Sequence, residues 1–213
     1  MSIEAVIFDL DGVLVSTSEL HYEAWKSLSQ KYGISFDRDF NERFKGVSRS
    51  DCVRMLFPSE KDTKLLDAMS DEKNAYYCEL ISSLTPQDVF PGVRELISNL
   101  KNNNIKTAVG SVSKNTSVVL EQLGISDVFD VVVDGNDIKN SKPRPDVFLF
   151  AAGRLNVHPE NCVVVEDAAA GIRAAHLAGM LTVGVGPNDT LFEAGQLVSC
   201  VGELTFEYFD NLY

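Results

Sequence analysis

The stretch IEAVIFDLDG at residues 3–12 is the part of the sequence that decides the fold. Its apolar run, residues 3–8, is typical of a strand buried on both faces. Asp9 and Asp11 follow directly. Because side chains alternate along an extended chain, both carboxylates can point to one side while Leu10 faces the core. Four further runs rich in valine and isoleucine predict similar strands at residues 105–109, 131–133, 162–165 and 181–185.

Segments with helical periodicity separate most of these predicted strands. The pattern indicates helices at residues 93–102, 113–123, 146–155 and 168–178. Alternation of strand and helix predicts an α/β fold with a doubly wound, Rossmann-like parallel sheet and helices on both of its faces. Residues 16–86 interrupt the alternation, because they show helical periodicity and no convincing strand. The sequence therefore predicts a core formed by residues 1–15 and 87–213, with an inserted helical cap domain at residues 16–86.

Composition limits the classes of protein to which the chain can belong. Of its 213 residues, 45% are hydrophobic and 23% are charged, as in globular proteins with an apolar core. The formal net charge of −12 repels nucleic-acid backbones and anionic lipid headgroups, so we expect neither nucleic acid nor a membrane as a partner. The same charge repels phosphorylated metabolites. Any phosphate site therefore has to be built locally, from a few cations, backbone N–H groups or a metal ion.

The cysteines and the apolar segments predict where the protein resides. The cysteines lack metal-ligand spacing to the histidines and are typical of buried thiols in a reducing compartment: Cys52, Cys78, Cys162 and Cys200. No segment offers the roughly 20 apolar residues that a membrane span needs. We therefore expect a cytoplasmic protein. Since no large apolar stripe demands a partner, we expect a monomer.

Polar and charged side chains follow the predicted strands, at the edge of the sheet where ligands bind in open parallel sheets. Besides Asp9 and Asp11, these are residues 110–115 (GSVSKN), residues 140–143 (NSKP) and the pair Glu166 and Asp167. Four acids gathered at two strand ends would repel each other without a cation. Oxygen ligands favour a hard divalent ion, and Mg²⁺ is the usual one beside a phosphate. The alternative is that these aspartates only cap turns.

The hydroxyl groups and the lysine at this edge indicate a phosphate site. Ser111 ends its strand, and Ser113 would open the following helix, whose free N–H groups can bind an anion. Lys142, which precedes Pro143, could reach the same phosphate as a point charge. Two alternatives stay open, namely that Ser113 is only an N-cap and that Lys142 is a solvated loop residue.

These residues together resemble a known family. The sequence DLDGV at 9–13, Ser111, Lys142 with Pro143, and Glu166 with Asp167 match, in order, the four motifs of the haloacid dehalogenase-like phosphotransferases. Three further stretches are more specific and are similar to the β-phosphoglucomutase family: HYEAW at 21–25, FKGVSR at 44–49 and SVSKN at 111–115.

The resemblance implies interconversion of β-D-glucose 1-phosphate and glucose 6-phosphate through glucose 1,6-bisphosphate, with Mg²⁺ as cofactor and a small phosphorylated sugar as partner. It implies that Asp9 is the nucleophile that becomes an aspartyl phosphate and that Asp11 is the general acid/base. The implied metal ligands are Asp9, the backbone carbonyl of Asp11, Glu166 and Asp167. The residues implied in substrate binding are Thr17, His21, Trp25, Lys45, Gly46, Arg49, Ser111, Val112, Ser113, Lys114, Asn115 and Lys142.

Departures from the family pattern and rival functions remain at this point. An acidic residue usually precedes the Ser/Thr of the hinge, where this chain has Val15, and here Ser16 would cap the first cap helix. Val112 is bulkier than the small residue expected there. His21 could be a packing residue, and Lys45 and Arg49 could belong to a solvated helix face. A sugar-phosphate phosphatase or a non-catalytic sugar-phosphate sensor on the same fold are the alternatives.

Overall fold

The centre of the molecule is a six-stranded, fully parallel sheet with the strand order β3-β2-β1-β4-β5-β6. The computed structural model describes residues 2–44, 47–187, 191 and 193–212. Because the strand order reverses next to β1, the sheet is doubly wound, and the predicted fold class is confirmed. The strands are β1 (Ala5–Phe8), β2 (Lys106–Gly110), β3 (Val131–Val133), β4 (Cys162–Glu166), β5 (Leu181–Val185) and β6 (Gln196–Val198).

Nine α-helices surround or extend this sheet in the described residues. Strand side chains alternate between two apolar layers: Val6 and Phe8 of β1 pack in one, and Ala5 and Ile7 in the other with Phe148. Both faces of the sheet are therefore covered, which explains why its strands are apolar throughout. The helices are α1 (Ser18–Lys31), α2 (Arg38–Glu42), α3 (Arg49–Leu56), α4 (Thr63–Ile81), α5 (Val93–Asn102), α6 (Thr116–Gln122), α7 (Asp146–Leu155), α8 (Ala169–Leu177) and α9 (Phe206–Asp210).

Helices α1 to α4 are inserted in the chain between β1 and the later strands, and they have an apolar cluster of their own. The described residues between 16 and 86 contain no strand, as the periodicity predicts. Their cluster includes Trp25, Leu28, Val53 and Met69, all buried. A separate cluster agrees with an inserted helical unit, and the exact boundaries of the two domains stay a prediction.

Several predicted boundaries are corrected. Helix α6 begins at Thr116 and not at residue 113, because the Ser113 hydroxyl accepts a hydrogen bond from the Asn115 N–H at 3.2 Å and forms a turn there. Ser113 is therefore not an N-cap. Strand β4 extends to Glu166. Strand β6 and helix α9 were not predicted from the sequence, because both are short and β6 is an edge strand.

The start of α1 also differs from the prediction. The helix begins at Ser18 with Thr17 as its N-cap residue, so Ser16 does not cap it. The Thr17 side chain makes no capping hydrogen bond, because it donates to the carboxylate of Asp11. None of the described helices is both long enough and apolar enough to cross a membrane.

Candidate active site

A cavity of about 740 Å³ lies between the carboxyl edge of the sheet and the helical insert. This volume falls within the range of small-molecule sites. One side is formed by the loops that follow β1, β2, β3 and β4, and the other side includes residues of α1, α3 and α4. The cavity therefore has a wall from the sheet and a wall from the insert.

Three carboxylates at the sheet wall form the acidic cluster, Asp9, Glu166 and Asp167. Ligand oxygens of the three lie within 4.8 Å of one another. Two glycines make this approach possible: a Cβ on Gly12 would lie 2.1 Å from Asp167 Oδ2, and one on Gly171 would lie 1.9 Å from Glu166 Oε2. Gly12 also has φ +76°, which favours glycine. An all-oxygen donor set of this size fits a Mg²⁺ ion.

Lys142 bridges two members of the acidic cluster. Its Nζ donates to Asp9 Oδ1 at 2.5 Å and to Glu166 Oε2 at 2.7 Å, and its side chain is 1% exposed. Burial opposes the charge of Lys142, yet the two carboxylates raise its pKa above the ordinary value. Burial together with Asp9 raises the pKa of Glu166. Lys142 is thus a buried cation in the acidic cluster, and not a solvated loop residue.

Asp11 is held apart from the acidic cluster by Thr17. Its Oδ1 accepts from both the backbone N–H of Thr17, at 3.1 Å, and the Thr17 hydroxyl. The Tyr77 hydroxyl in turn donates to Thr17 Oγ1 at 3.2 Å. Burial raises the pKa of Asp11 to about 6, with a further contribution from Asp9. A carboxyl group with this pKa, on the cavity wall, suits general acid–base chemistry near neutral pH.

His21 and Lys73 form a polar pair on the insert wall. Their atoms Nδ1 and Nζ are 2.8 Å apart, and His21 Nε2 lies 3.7 Å from Asp11 Oδ2. Lys73 also lies over the rings of Trp25 (4.9 Å) and Tyr77 (4.4 Å). Burial lowers the pKa of Lys73 to about 7 and holds the pKa of His21 well below its usual range. When Lys73 is protonated it can only donate, and a neutral His21 then carries its proton on Nε2, which faces Asp11.

The loop after β2 forms the part of the sheet wall next to the insert. Buried Ser111 accepts from the Ser113 N–H at 3.2 Å, which shapes the loop. Gly135 packs beneath this loop, since a Cβ there would lie 2.3 Å from the Val112 carbonyl oxygen. The residues of this loop that line the cavity are Ser111, Val112, Ser113, Lys114 and Asn115.

Arg49 extends from the first turn of α3 into the cavity. Its Nε donates to the hydroxyl of Ser70 at 3.0 Å, and its Nη2 lies 3.8 Å from the carboxylate of exposed Asp71. Burial lowers the pKa of Arg49 from its ordinary value, although the group stays charged. We call Arg49, Ser113, Lys114 and Asn115 the distal seat; all four line the cavity, Arg49 from the insert wall and the other three from the loop after β2.

The structure brings most of the predicted site residues to one cavity. Those on its wall are Asp9, Asp11, His21, Trp25, Arg49, Ser111, Val112, Ser113, Lys114, Asn115, Lys142, Glu166 and Asp167. Thr17 does not line the cavity, since it is buried behind Asp11. Lys45 and Gly46 lie outside the described residues.

Sequence reasoning missed the residues of α4 that line the cavity, which are Asp67, Ser70, Asp71, Lys73 and Asn74. Lys73 had a signal, because it shares a helix face with the apolar residues Met69 and Tyr77 at four-residue spacing. Ser70 and Asn74 had none, since their roles depend on contacts with α3 and with the loop after β2.

Comparisons with known proteins agree with this arrangement. The family model of the haloacid dehalogenase-like hydrolases matches residues 6–185. The chain belongs to the haloacid dehalogenase-like family.

Within that family, the chain is 44% identical over 209 residues to a β-phosphoglucomutase from Bacillus subtilis, covering 96% of this chain and 92% of the relative. The crystal structure of a β-phosphoglucomutase from Clostridium difficile superimposes with a TM-score of 0.95 at 44% identity, covering 99% of this chain and 97% of the other. A phosphorylated carbohydrates phosphatase from Thermotoga maritima is 34% identical over 183 residues, covering 83% of this chain and 82% of the relative. The predicted β-phosphoglucomutase family and enzyme class are confirmed.

Proposed function

We propose that the protein is a Mg²⁺-dependent mutase that interconverts β-D-glucose 1-phosphate and glucose 6-phosphate, through an aspartyl-phosphate enzyme and β-glucose 1,6-bisphosphate. The relatives named β-phosphoglucomutase support this substrate. The observation that carries the proposal is a cavity in which the acidic cluster and Lys142 lie on the sheet wall, while the distal seat combines Arg49 of the insert wall with residues of the loop after β2. A sugar bisphosphate needs both ends, whereas hydrolysis of one phosphate needs only the acidic end.

The acidic cluster supports the role of Asp9 as nucleophile. A carboxylate oxygen of Asp9 would attack the phosphorus in line, the bond from phosphorus to the sugar oxygen would break, and the aspartyl phosphate would form. Asp9, Glu166, Asp167 and the backbone carbonyl of Asp11 would hold Mg²⁺, which when bound neutralises charge on the transferring phosphoryl group. Lys142, already 2.5 Å from Asp9, supplies a second positive charge at the same place.

Asp11 supports the proton transfers of both half-reactions. In its protonated form it would give a proton to the sugar oxygen that leaves phosphorus. In its ionised form it would accept the proton of the sugar hydroxyl that attacks the aspartyl phosphate, so that the protons balance over one turnover. The pKa of about 6 lets both forms exist near neutral pH. The hydrogen bonds from Thr17 fix the direction of the carboxyl group.

The distal seat supports retention of the bisphosphate. After the first transfer the sugar carries two phosphates, and it must turn end for end before the second transfer. Arg49 and Lys114 offer two positive charges for the phosphate that is not reacting, in a protein whose net charge is −12. This local compensation is what lets a strongly acidic protein hold a doubly phosphorylated sugar.

A sugar-phosphate phosphatase is the second candidate, because two relatives carry names of that kind. The Thermotoga maritima protein is one, and a fructose-1-phosphate phosphatase from Escherichia coli, 33% identical over 181 residues, is the other. In that reaction water would take the phosphoryl group from Asp9. The distal seat favours the mutase.

A coupled assay separates the two reactions. Purified protein is given Mg²⁺ and β-glucose 1-phosphate with a trace of β-glucose 1,6-bisphosphate, and glucose 6-phosphate and free phosphate are measured separately. We expect fast formation of glucose 6-phosphate with little free phosphate, and no reaction in excess chelator. Free phosphate as the main product would overturn the mutase in favour of the phosphatase.

We also propose that the enzyme works as a monomer in the cytoplasm. The inserted helical unit closes the cavity from within the same chain, so that a complete site needs no second copy. Sedimentation equilibrium at assay concentration should give the mass of one chain. A stable dimer would contradict this part of the proposal.

A further inference from the structure

Helix α4 carries two neutral polar side chains that each contact one half of the distal seat. The Ser70 hydroxyl accepts from Arg49 Nε at 3.0 Å, and Asn74 Oδ1 accepts from Asn115 Nδ2 at 2.8 Å. Ser70 and Asn74 are four residues apart, so they lie one helical turn apart on the same face. Arg49 begins α3 in the insert, whereas Asn115 belongs to the loop after β2.

We propose that Ser70 and Asn74 are positioning residues that set the orientation and spacing of Arg49 and Asn115, and thereby build the seat for the non-reacting phosphate. The inference rests on the proposed function, since it concerns the second phosphate of the sugar. The rigid backbone of α4 fixes the distance between the two acceptors. It therefore fixes the positions of the two donors, one from each side of the cavity.

The chemistry of Ser70 suits this task because a hydroxyl is neutral. It takes only the Nε–H of Arg49, so both Nη groups stay available for a forked contact with a phosphate. A carboxylate at the same position would hold the guanidinium as firmly, yet would cancel its charge. The carboxylate of Asp71 is 3.8 Å from Nη2 and its side chain is 81% exposed, so solvent screens it.

The contacts of Asn115 fix which way its amide faces. Its Nδ2 donates to Asn74, and its Oδ1 lies 3.7 Å from the thiol of Cys78, a weak donor. A flipped amide would set two carbonyl oxygens against each other at Asn74. The amide group has two N–H bonds, and Asn74 takes one of them. The other N–H remains for a phosphate oxygen.

The Asn74–Asn115 hydrogen bond also joins the insert to the sheet. It forms only when α4 stands in the position seen here relative to the loop after β2. The complete distal seat therefore belongs to this arrangement of the two parts. A displacement of the insert would separate Arg49 from Asn115 and dismantle the seat.

The test is the equilibrium affinity for β-glucose 1,6-bisphosphate, measured by calorimetry with Mg²⁺ in an Asp9→Asn background that cannot turn the ligand over. We expect Ser70→Ala and Asn74→Ala each to raise Kd about 5- to 10-fold, the range of a hydrogen bond that orients a binding group. Ser70→Thr should stay within about twofold, because it keeps the hydroxyl. Ser70→Asp should weaken the affinity for the bisphosphate more than Ser70→Ala does, because the carboxylate cancels the charge of Arg49. Ser82→Ala, at the end of the same helix and exposed, is the matched control.

A double-mutant cycle shows whether the two residues act through their partners. In an Arg49→Ala background, Ser70→Ala should raise Kd by less than about twofold. In an Asn115→Ala background, Asn74→Ala should likewise raise Kd by less than about twofold. Full additivity in both cycles would overturn the proposal. So would unchanged affinity in both single variants, or an affinity for Ser70→Asp equal to that of the parent.

A second readout separates a positioning role from general damage. With Asp9 restored, hydrolysis of p-nitrophenyl phosphate, which has a single phosphate, should stay within about twofold in Ser70→Ala and Asn74→Ala. An equal loss of this hydrolysis and of bisphosphate affinity would overturn the proposal in favour of a structural role. The affinity measurement does not depend on isomerisation, so a failure of the mutase assay and a failure of this inference are distinguishable.

Discussion

The two walls of the cavity handle charge in opposite ways. On the sheet wall, Lys142 lies between Asp9 and Glu166, so its charge is compensated within the protein and its pKa is raised. On the insert wall, burial depresses the pKa of both Lys73 and Arg49, and these cations repel each other. The counter-charges of Lys142 are thus part of the protein, whereas an anion bound in the cavity would supply counter-charge to the insert wall. On the proposed function, the reacting phosphate binds at the sheet wall, and the second phosphate binds between Arg49 and the loop after β2.

The largest effect is expected on the sheet wall, from Asp9→Asn. An amide cannot form the acyl phosphate, so turnover should fall at least about 10⁴-fold, as for the loss of other nucleophiles. The coupled assay measures this rate, and acid-stable phosphate labelling measures loss of the phosphoenzyme. Asp210→Asn, an exposed change on α9, serves as the control. A variant with a near-normal rate would remove Asp9 from the mechanism.

Lys142→Met should break the compensation of the sheet wall. Two buried carboxylates would lose their cation, which costs about 3–5 kcal/mol of the free energy of unfolding when a buried pair is broken. Urea denaturation in the absence of Mg²⁺ measures this loss. Added Mg²⁺ should recover part of it, since the ion supplies charge to the same carboxylates. If metal-free stability did not change, the compensation inferred for this wall would be wrong.

Arg49→Ala tests the insert wall and separates the two candidate functions. Isomerisation should fall about 100-fold, because the non-reacting phosphate loses its forked donor. Hydrolysis of p-nitrophenyl phosphate should stay within about threefold. Arg38→Ala, an exposed arginine of the same insert, is the control. If hydrolysis and isomerisation fell together, Arg49 would belong to the reacting end and not to a separate distal seat.

The smallest effect is expected from Lys73→Met. Lys73 has a pKa of about 7 when folded and 10.5 as its ordinary value, so the unfolded chain binds more protons between these pH values. The natural protein is therefore penalised most below pH 7, and the penalty declines as the pH rises towards 10.5.

At pH 6 the Lys73→Met variant should be more stable than the natural protein by about 1–3 kcal/mol, and the difference should shrink at pH 9. Urea denaturation at the two pH values measures it. Lys64→Met, exposed on the same helix, should show no such dependence. A difference that grew from pH 6 to pH 9 would contradict an uncompensated charge at Lys73.

The sheet wall was predictable from the sequence, and the insert wall was so only in part. The carboxyl ends of parallel strands meet at one edge of the sheet, so the residues that follow each strand come together at that edge. Asp9, Glu166 and Lys142 were placed by that rule. No comparable rule places Ser70 or Asn74, because the packing of α4 against α3 and the sheet decides what they touch.

Local chemistry also displaced some predicted elements. A helix starting at residue 113 was a reasonable expectation from its serine, yet the hydroxyl forms a turn and delays α6 to Thr116. Likewise Thr17 occupies the N-cap position of α1, yet its side chain donates to Asp11 and makes no capping hydrogen bond. In both places a hydroxyl group near the start of a helix makes a hydrogen bond other than a helix cap. The exact helix ends could therefore not be read from propensity alone.

The position of Lys142 also predicts how the protein responds to changes in magnesium concentration. An ammonium group between Asp9 and Glu166 acts as a built-in counterion, so we expect the fold to persist without the metal. Removal of the metal by a chelator should therefore abolish activity but leave the protein folded, with its circular dichroism spectrum unchanged. On the proposed function, activity should return when magnesium is restored.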